Sequence, residues 1–178
     1  MASTLVKIDI HLIFHTKNTG ITMRNDDLDR IFAYIGGIIR NLGSIAIEVG
    51  GMPDHVHILT SLPKTMTLAD FVRTIKAESS KWIKSIDGHY HRFAWQEGYG
   101  AFSVSPSLTE KTVLYIRGQA EHHKKRSFQE EYKLFLEAYR IGMMNSMRLA
   151  IRFRHPFGVS VRCVCSLAGV SLRYTTCL

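Results

Sequence analysis

The chain has 178 residues, 46% hydrophobic and 21% charged, a balance that suits one globular domain with a sizeable core. A formal charge of +8 favours a polyanionic partner. No apolar run is long enough to span a bilayer, the N-terminus shows no signal-peptide pattern, and the cysteines (Cys163, Cys165, Cys177) form neither a disulfide framework nor a zinc spacing, so a reducing cytoplasm is the expected setting.

In chain order, Leu5 to Phe14 predicts a first strand with Ile8, Ile10, Leu12 and Phe14 on one face. Asp9, His11, Ile13 and His15 fall on the other, where the two histidines are assigned to polar surface or an interface rather than to a metal. The edge of this strand is expected to be exposed, and so to need covering or pairing. Asn25-Asp26-Asp27 caps a helix with Leu28, Ile31, Phe32, Ile35, Ile38, Ile39 and Leu42 at helical spacing. Gly36 and Gly37 are unfavourable inside it and mark a close crossing. Ile45 to Val49 is a second strand, Gly50 to Asp54 are turn formers, and His55 to Thr60 alternates as a third strand. Thr67 opens a second helix with Leu68, Phe71, Ile75 and Trp82 inward and Arg73, Lys76, Lys81 and Lys84 as cations around it.

Arg92 to Gln96 and Gly100 to Val104 read as a last strand or hairpin. Trp95, Tyr99 and Phe102 are of the kind that stacks unpaired bases, although packing suits at least two of the three. His89-Tyr90-His91 follows Asp87-Gly88 with no strand run before it and is set aside. Strand, helix, strand, strand, helix, strand is the order of an α+β, ferredoxin-like antiparallel sheet with helices on one face. A further helix is appended after it, with Ser107 and Glu110 spaced as a capping box.

Two stretches carry chemistry. On a strand, His55 and His57 project to the same side with Cα atoms roughly 6 to 7 Å apart, within reach of one metal ion, while Val56 and Ile58 face a core. Taken alone, such a pair is more often a feature of an ordinary strand surface. On the appended helix, Tyr115 and Gln119 are four apart and share a face. A tyrosine beside a metal-held phosphate is a competent oxygen nucleophile, and a glutamine oxygen one turn away is a competent ligand to the same ion. Tyr115 packed among Val113, Leu114 and Ile116 is the structural alternative.

Taken together, GGMPDHVHIL and YIRGQAEHHKKRSFQEEY resemble the insertion-sequence-200-like transposases, single-tyrosine members of the HUH (His, hydrophobic, His) superfamily. The likeness runs from about Leu5 to Tyr139 and includes His11-Leu12-Ile13-Phe14-His15-Thr16-Lys17 as the family's first strand. The resemblance implies that Tyr115 is the nucleophile and that His55, His57 and Gln119 hold a divalent ion, Mg²⁺ or Mn²⁺. It also implies a 5′-phosphotyrosine intermediate, single-stranded DNA with hairpin ends of a mobile element as substrate, and a homodimer. Arg73, Lys76, Lys124, Lys125 and Arg126 are the candidate DNA-backbone contacts. Two rivals are a non-catalytic single-stranded nucleic-acid-binding module and a replication- or conjugation-type HUH nickase.

Ser127 caps a shorter helix with Tyr132, Phe135, Leu136 and Tyr139, closing a domain over 1–141. The tail, 142–178, lacks Asp, Glu and Lys but holds five arginines (Arg148, Arg152, Arg154, Arg162, Arg173), five of the eight net positive charges. Folded domains mix both signs, so this segment is expected to be poorly ordered, either an unrelated appendage or the product of a shifted frame.

Overall fold

The computed structural model describes residues 5–17 and 20–122, all within one compact unit, Met1–Lys133. The expected boundary at 141/142, the helix after Ser127 and the arginine-bearing tail lie outside the described residues.

Eight regular elements follow one another: β1 (Asp9–His15), α1 (Leu28–Asn41), β2 (Ala46–Met52), β3 (His55–Ser61), α2 (Leu68–Lys84), β4 (Gly100–Val104), α3 (Thr109–Arg117) and the one-turn α4 (Gln119–His122). The strands form one antiparallel sheet in the order β2-β3-β1-β4, the ferredoxin-like arrangement that the element order predicts. β1 is therefore a central strand, hydrogen-bonded on both sides, and the outer strands are β2 and β4. The expectation of an exposed β1 edge fails because β4 returns to pair with it from Asp9 to Ile13.

Strand alternation divides the sheet into two faces. Ile10, Leu12 and Phe14 of β1 and Val56 and Ile58 of β3 are buried against Ile31, Ile35 and Ile39 of α1 and Phe71, Val72 and Ile75 of α2. Each of these side chains, once out of water, contributes about 1.5 to 3 kcal/mol of apolar transfer, so this layer carries most of the domain's stability. Tyr34 of α1 and Trp82 of α2 stack with ring centroids 4.1 Å apart, so Trp82 seals the two helices rather than entering the centre. Ile8 falls outside β1 and is exposed. Leu59 and Val104 on the opposite face meet Ile116 of α3 in a second, smaller cluster.

Local rules hold in part. Thr67 caps α2 as expected, its Oγ1 accepting from the Asp70 amide at 3.1 Å. The Ser107/Glu110 capping box does not form: Pro106–Leu108 makes a 3-10 turn, α3 begins at Thr109, and the Ser107 hydroxyl meets that of Ser105 at 3.0 Å. Asp27 stands at the head of α1 without a capping bond and instead accepts from the Tyr90 hydroxyl at 2.8 Å. Gly50 and Gly51 continue β2 instead of turning, which leaves Pro53 and Asp54 as the tip of the β2–β3 hairpin. Two backbone bonds pin that tip, from the Thr16 amide to the Asp54 carbonyl and from the Met23 amide to the Pro53 carbonyl, both 2.8 Å. Gly51 has φ +147°, and a Cβ there would collide with the His55 carbonyl oxygen, so glycine is required at this point.

Candidate active site

The face of the sheet opposite the main core carries the chemistry. His55 and His57 leave β3 on this side, as their spacing predicts, and both are fully buried. Their rings meet edge to face with centroids 5.1 Å apart. α3 covers them from above: the Tyr115 ring approaches the His57 ring edge-on at 5.6 Å, and the Nε2 of His55 lies 3.3 Å from the Oε1 of Gln119. Gln119 is itself buried, at 1% exposure, which an amide side chain tolerates only in polar company. Tyr115 and Gln119 do not share one continuous helix. α3 ends at Arg117, Gly118 caps it, and Gln119 opens α4. The two side chains still reach the same histidine pair.

The approach of α3 to the sheet depends on a missing side chain. A Cβ at Gly50 of β2 would lie 2.8 Å from Cγ2 and 3.2 Å from the carbonyl oxygen of Ile116. Gly50 is the register partner of His57, so this close approach of helix to sheet lies one strand away from a site histidine. Arg117 adds a clasp at the edge, its Nε and Nη2 meeting Oε2 of Glu48 at 2.9 and 2.8 Å.

His11 is the site residue that sequence reasoning assigned elsewhere. It is 2% exposed, and its Nε2 lies 2.9 Å from the Nδ1 of His57. Its ring stacks against that of His57 at 5.1 Å and meets the Tyr115 ring edge-on at 6.1 Å. Burial pushes its pKa down to about 4, so it stays a neutral imidazole at physiological pH. The alternation of β1 already put His11 on the face away from the core. What was missing was the strand order, which sets β1 beside β3 and makes that face an interior. His15, two same-face positions further along β1, is half-buried opposite His55, its Nδ1 2.6 Å from the Thr16 carbonyl. Burial lowers its pKa, against the opposing pull of that carbonyl and of Asp54.

The second histidine motif is no part of this arrangement. His89 and His91 are exposed around a 3-10 turn, while Tyr90 is buried in the main core. Trp95 is buried in the main core, Phe102 is buried as the β4 register partner of His11, and Tyr99 is half-buried. Arg73 and Lys76 sit on α2, which packs against the other face of the sheet. Arg73 is exposed and pairs with Asp70 at 2.7 Å. Lys76 bends inward to donate to the carbonyls of Gln96, Glu97 and Gly98 at 3.0, 3.3 and 2.6 Å, with Nζ above the rings of Phe14 and Tyr99. Lys124, Lys125 and Arg126 lie outside the described residues.

Two imidazoles and an amide oxygen are a donor set that a divalent cation accepts. The 3.3 Å between His55 Nε2 and Gln119 Oε1 is close to the edge of a metal octahedron, about 3.0 Å for two ligands each roughly 2.1 Å from the ion. The His57 Nε2 is also buried. Among the described residues no three His, Cys, Asp or Glu side chains converge as a metal cluster. The set carries no formal charge, which leaves a bound dication free to attract anionic oxygens from a substrate.

The family comparison decides what this arrangement belongs to. The model of the family described as "Transposase IS200 like" matches residues 4–119, a span that takes in β1, the histidine pair, Tyr115 and Gln119. The chain belongs to the IS200-like transposase family. Transposases of this kind cut DNA and transfer strands, which places the chain among DNA-cleaving enzymes. Two solved structures share the fold. A protein of Deinococcus radiodurans R1, described as a candidate transposase, is 23% identical, with a TM-score of 0.52 over 67% of this chain and 95% of its own. A REP-associated tyrosine transposase bound to a REP hairpin is 14% identical, with a TM-score of 0.51 over 69% of this chain and 73% of its own. No curated protein matches the sequence. No helix among the described residues of this transposase is long and apolar enough to cross a membrane.

Proposed function

We propose that this transposase cleaves and rejoins single-stranded DNA at the ends of a mobile element, with Tyr115 as nucleophile and His55, His57 and Gln119 as ligands of one Mg²⁺ or Mn²⁺. The observation that carries the reading is the burial of both histidines beneath α3, with Gln119 3.3 Å from one and the Tyr115 ring 5.6 Å from the other. Two buried imidazoles and a buried amide oxygen, with a half-buried tyrosine ring beside them, have little use as packing, since apolar residues would fill the space at lower desolvation cost. A bound dication would draw charge from the phosphoryl oxygens and orient the group for in-line attack.

The chain's own part is positional. Tyr115 brings its phenolic oxygen to the phosphorus as the phenol proton passes to solvent water. A tyrosyl O–P bond forms, the P–O3′ bond breaks, and the departing 3′ oxygen takes up a proton. The 5′-phosphotyrosine ester keeps the energy of the bond it replaced, so a second 3′ hydroxyl can reverse the step without ATP. The hairpin held by the REP-associated neighbour makes a folded single strand the first substrate to try. The basic run Lys124-Lys125-Arg126, five residues after Gln119, is the proposed phosphate contact, with Arg73 and Lys76 secondary. The working unit in this reading is a homodimer.

The test uses single-stranded oligonucleotides carrying imperfect palindromes from the DNA flanking the gene. The native chain with Mn²⁺ is expected to form an adduct that survives denaturing electrophoresis, and Tyr115→Phe, which loses only a hydroxyl, is expected to bind the hairpin and form none. An adduct with the phenylalanine variant removes Tyr115 as nucleophile, and full activity of the native chain in excess chelator removes the metal.

A further inference from the structure

Each site histidine has two ring nitrogens, and its use as a ligand depends on which one carries the proton. Here each Nδ1 already has a partner supplied by a different part of the chain. The Nδ1 of His57 meets the Nε2 of His11 at 2.9 Å, both rings being buried. The Nδ1 of His55 meets Oδ1 of Asp54 at 2.7 Å. A carboxylate can only accept, so this bond puts a proton on His55 Nδ1 and directs its Nε2 toward Gln119. The same logic applies to His57 when its Nδ1–H donates to His11.

We propose that His11 and Asp54 are the positioning residues of the metal site, each holding one histidine by its Nδ1 so that both Nε2 atoms face the ion. The inference rests on the metal-site reading above and adds two residues to it.

The surrounding structure makes both holders rigid. His11 lies in the central strand β1, diagonal to His57: it is the register partner of Leu59, while His57 pairs with Ile13. Neither strand can shift by one residue without exchanging the two faces of the sheet. His11 also stands edge-on to the Tyr115 ring, so one side chain sets the orientation of a ligand and borders the nucleophile. Asp54 occupies the hairpin tip, where the bond from the Thr16 amide to its own carbonyl fixes its backbone. Its side chain is 56% exposed, so Asp54 contributes little to the core, while its Oδ1 lies 2.7 Å from the Nδ1 of the fully buried His55. The two holders also differ in charge. An anionic acceptor makes His55 the more electron-rich ligand, whereas His57 has an imidazole behind it.

The experiment is Mn²⁺ binding to the full-length chain by titration calorimetry, with no DNA present. The variants are His57→Ala, His11→Phe, His11→Gln, Asp54→Ala and Asp54→Asn, each with its melting temperature measured in chelator. Outer-shell partners of metal histidines typically change affinity 10- to 100-fold, so His11→Phe and Asp54→Ala are expected to weaken Mn²⁺ by that factor. His11→Gln and Asp54→Asn keep an acceptor oxygen and are expected to recover part of the loss. A structural role alone would lower the melting temperature and leave the affinity unchanged, or give no recovery with the conservative variants, and either result overturns the proposal. If the buried His11→Phe fails to fold, the exposed Asp54 pair decides by itself. Mn²⁺ binding that His57→Ala leaves intact defeats the metal-site reading. Binding lost in His57→Ala but native in the His11 and Asp54 variants defeats only the positioning inference.

Discussion

Gly50→Ala isolates the part of this fold that brings the proposed nucleophile and metal ligands together. The added Cβ would lie 2.8 Å from Cγ2 of Ile116, where ordinary carbon–carbon contact is about 3.5 Å or more, so about 0.7 Å must be made up. Three responses are conceivable: β2 yields, the Ile116 side chain turns, or α3 lifts. β2 is hydrogen-bonded to β3 through this register, and Ile116 is 2% exposed between Leu59 and Val104, with Cγ2 only one bond beyond its Cβ. The 3.2 Å contact to the Ile116 carbonyl adds a backbone atom that no side-chain rotation relieves. The helix is therefore expected to lift, carrying Tyr115 and Gln119 with it. Overpacking of this size costs about 1 to 3 kcal/mol in stability, which lowers the melting temperature by several degrees in a domain of this size. The effect on the reaction should be far larger in proportion, because a misplacement near 1 Å can slow catalysis about 10²-fold. The assay is the rate of covalent adduct formation, measured beside the melting temperature at a temperature where the variant stays folded. A variant with native adduct rate and native melting temperature would show that α3 does not dock on Gly50 during the reaction. A large loss of stability with an unchanged rate would show that helix position does not limit the chemistry.

The remaining expectations are briefer. Gly37→Ala in α1 meets only the end of the Arg40 side chain, at 4.0 Å, so a helical glycine is replaced without a clash and chemical denaturation should show a gain of about 0.5 to 1 kcal/mol. Lys76 is pushed by burial from its ordinary 10.5 down to about 8, so the folded chain releases this proton before the unfolded one does. Stability should therefore rise from pH 8 toward 10.5 relative to Lys76→Met in parallel melting curves, with the burial penalty fully present below pH 8; parallel curves would remove Lys76 as the cause. For assembly, mixing Tyr115→Phe chains with His57→Ala chains should restore adduct formation if the nucleophile of one chain serves the ligands of another. Absence of rescue in demonstrated heterodimers would mean that each chain builds its own site.

Much of the fold is legible from local pattern because each element obeys one period. The β1 alternation, the isoleucine stripe of α1 and the Thr67 cap of α2 each have a single physical reading, and the element order then leaves few sheets to choose from. The misreadings fall where two local rules compete. Gly50-Gly51 reads as a turn because glycine is common there, yet both positions continue a strand, one to admit α3 and one to pass the His55 carbonyl. Ser107 and Glu110 have capping-box spacing, but Pro106 starts a 3-10 turn that shifts the helix start to Thr109. Lys76 reads as one more exposed cation, and only the path of residues 96–98 supplies the three carbonyls that turn it inward.

The site divides along the same line. The shared face of His55 and His57 is legible because strand alternation puts residues two apart on one side, which is a property of near neighbours in the chain. Tyr115 and Gln119 are legible as a spacing, even though Gly118 breaks the helix between them, because one turn of displacement keeps both on the same side. His11 lies 46 positions from its partner, and nothing in its own strand distinguishes a histidine facing solvent from one facing a covered interior. That distinction comes from the return of β4 to the far side of β1, which makes β1 central, and from the docking of α3 over the resulting face. The polar side of a central strand is then the inside of a site. In this fold, any histidine or carboxylate that alternation sets opposite the main core on β1 or β3 belongs with the groups of the proposed site until its contacts show otherwise, and His11 is the residue to which that argument applies most directly.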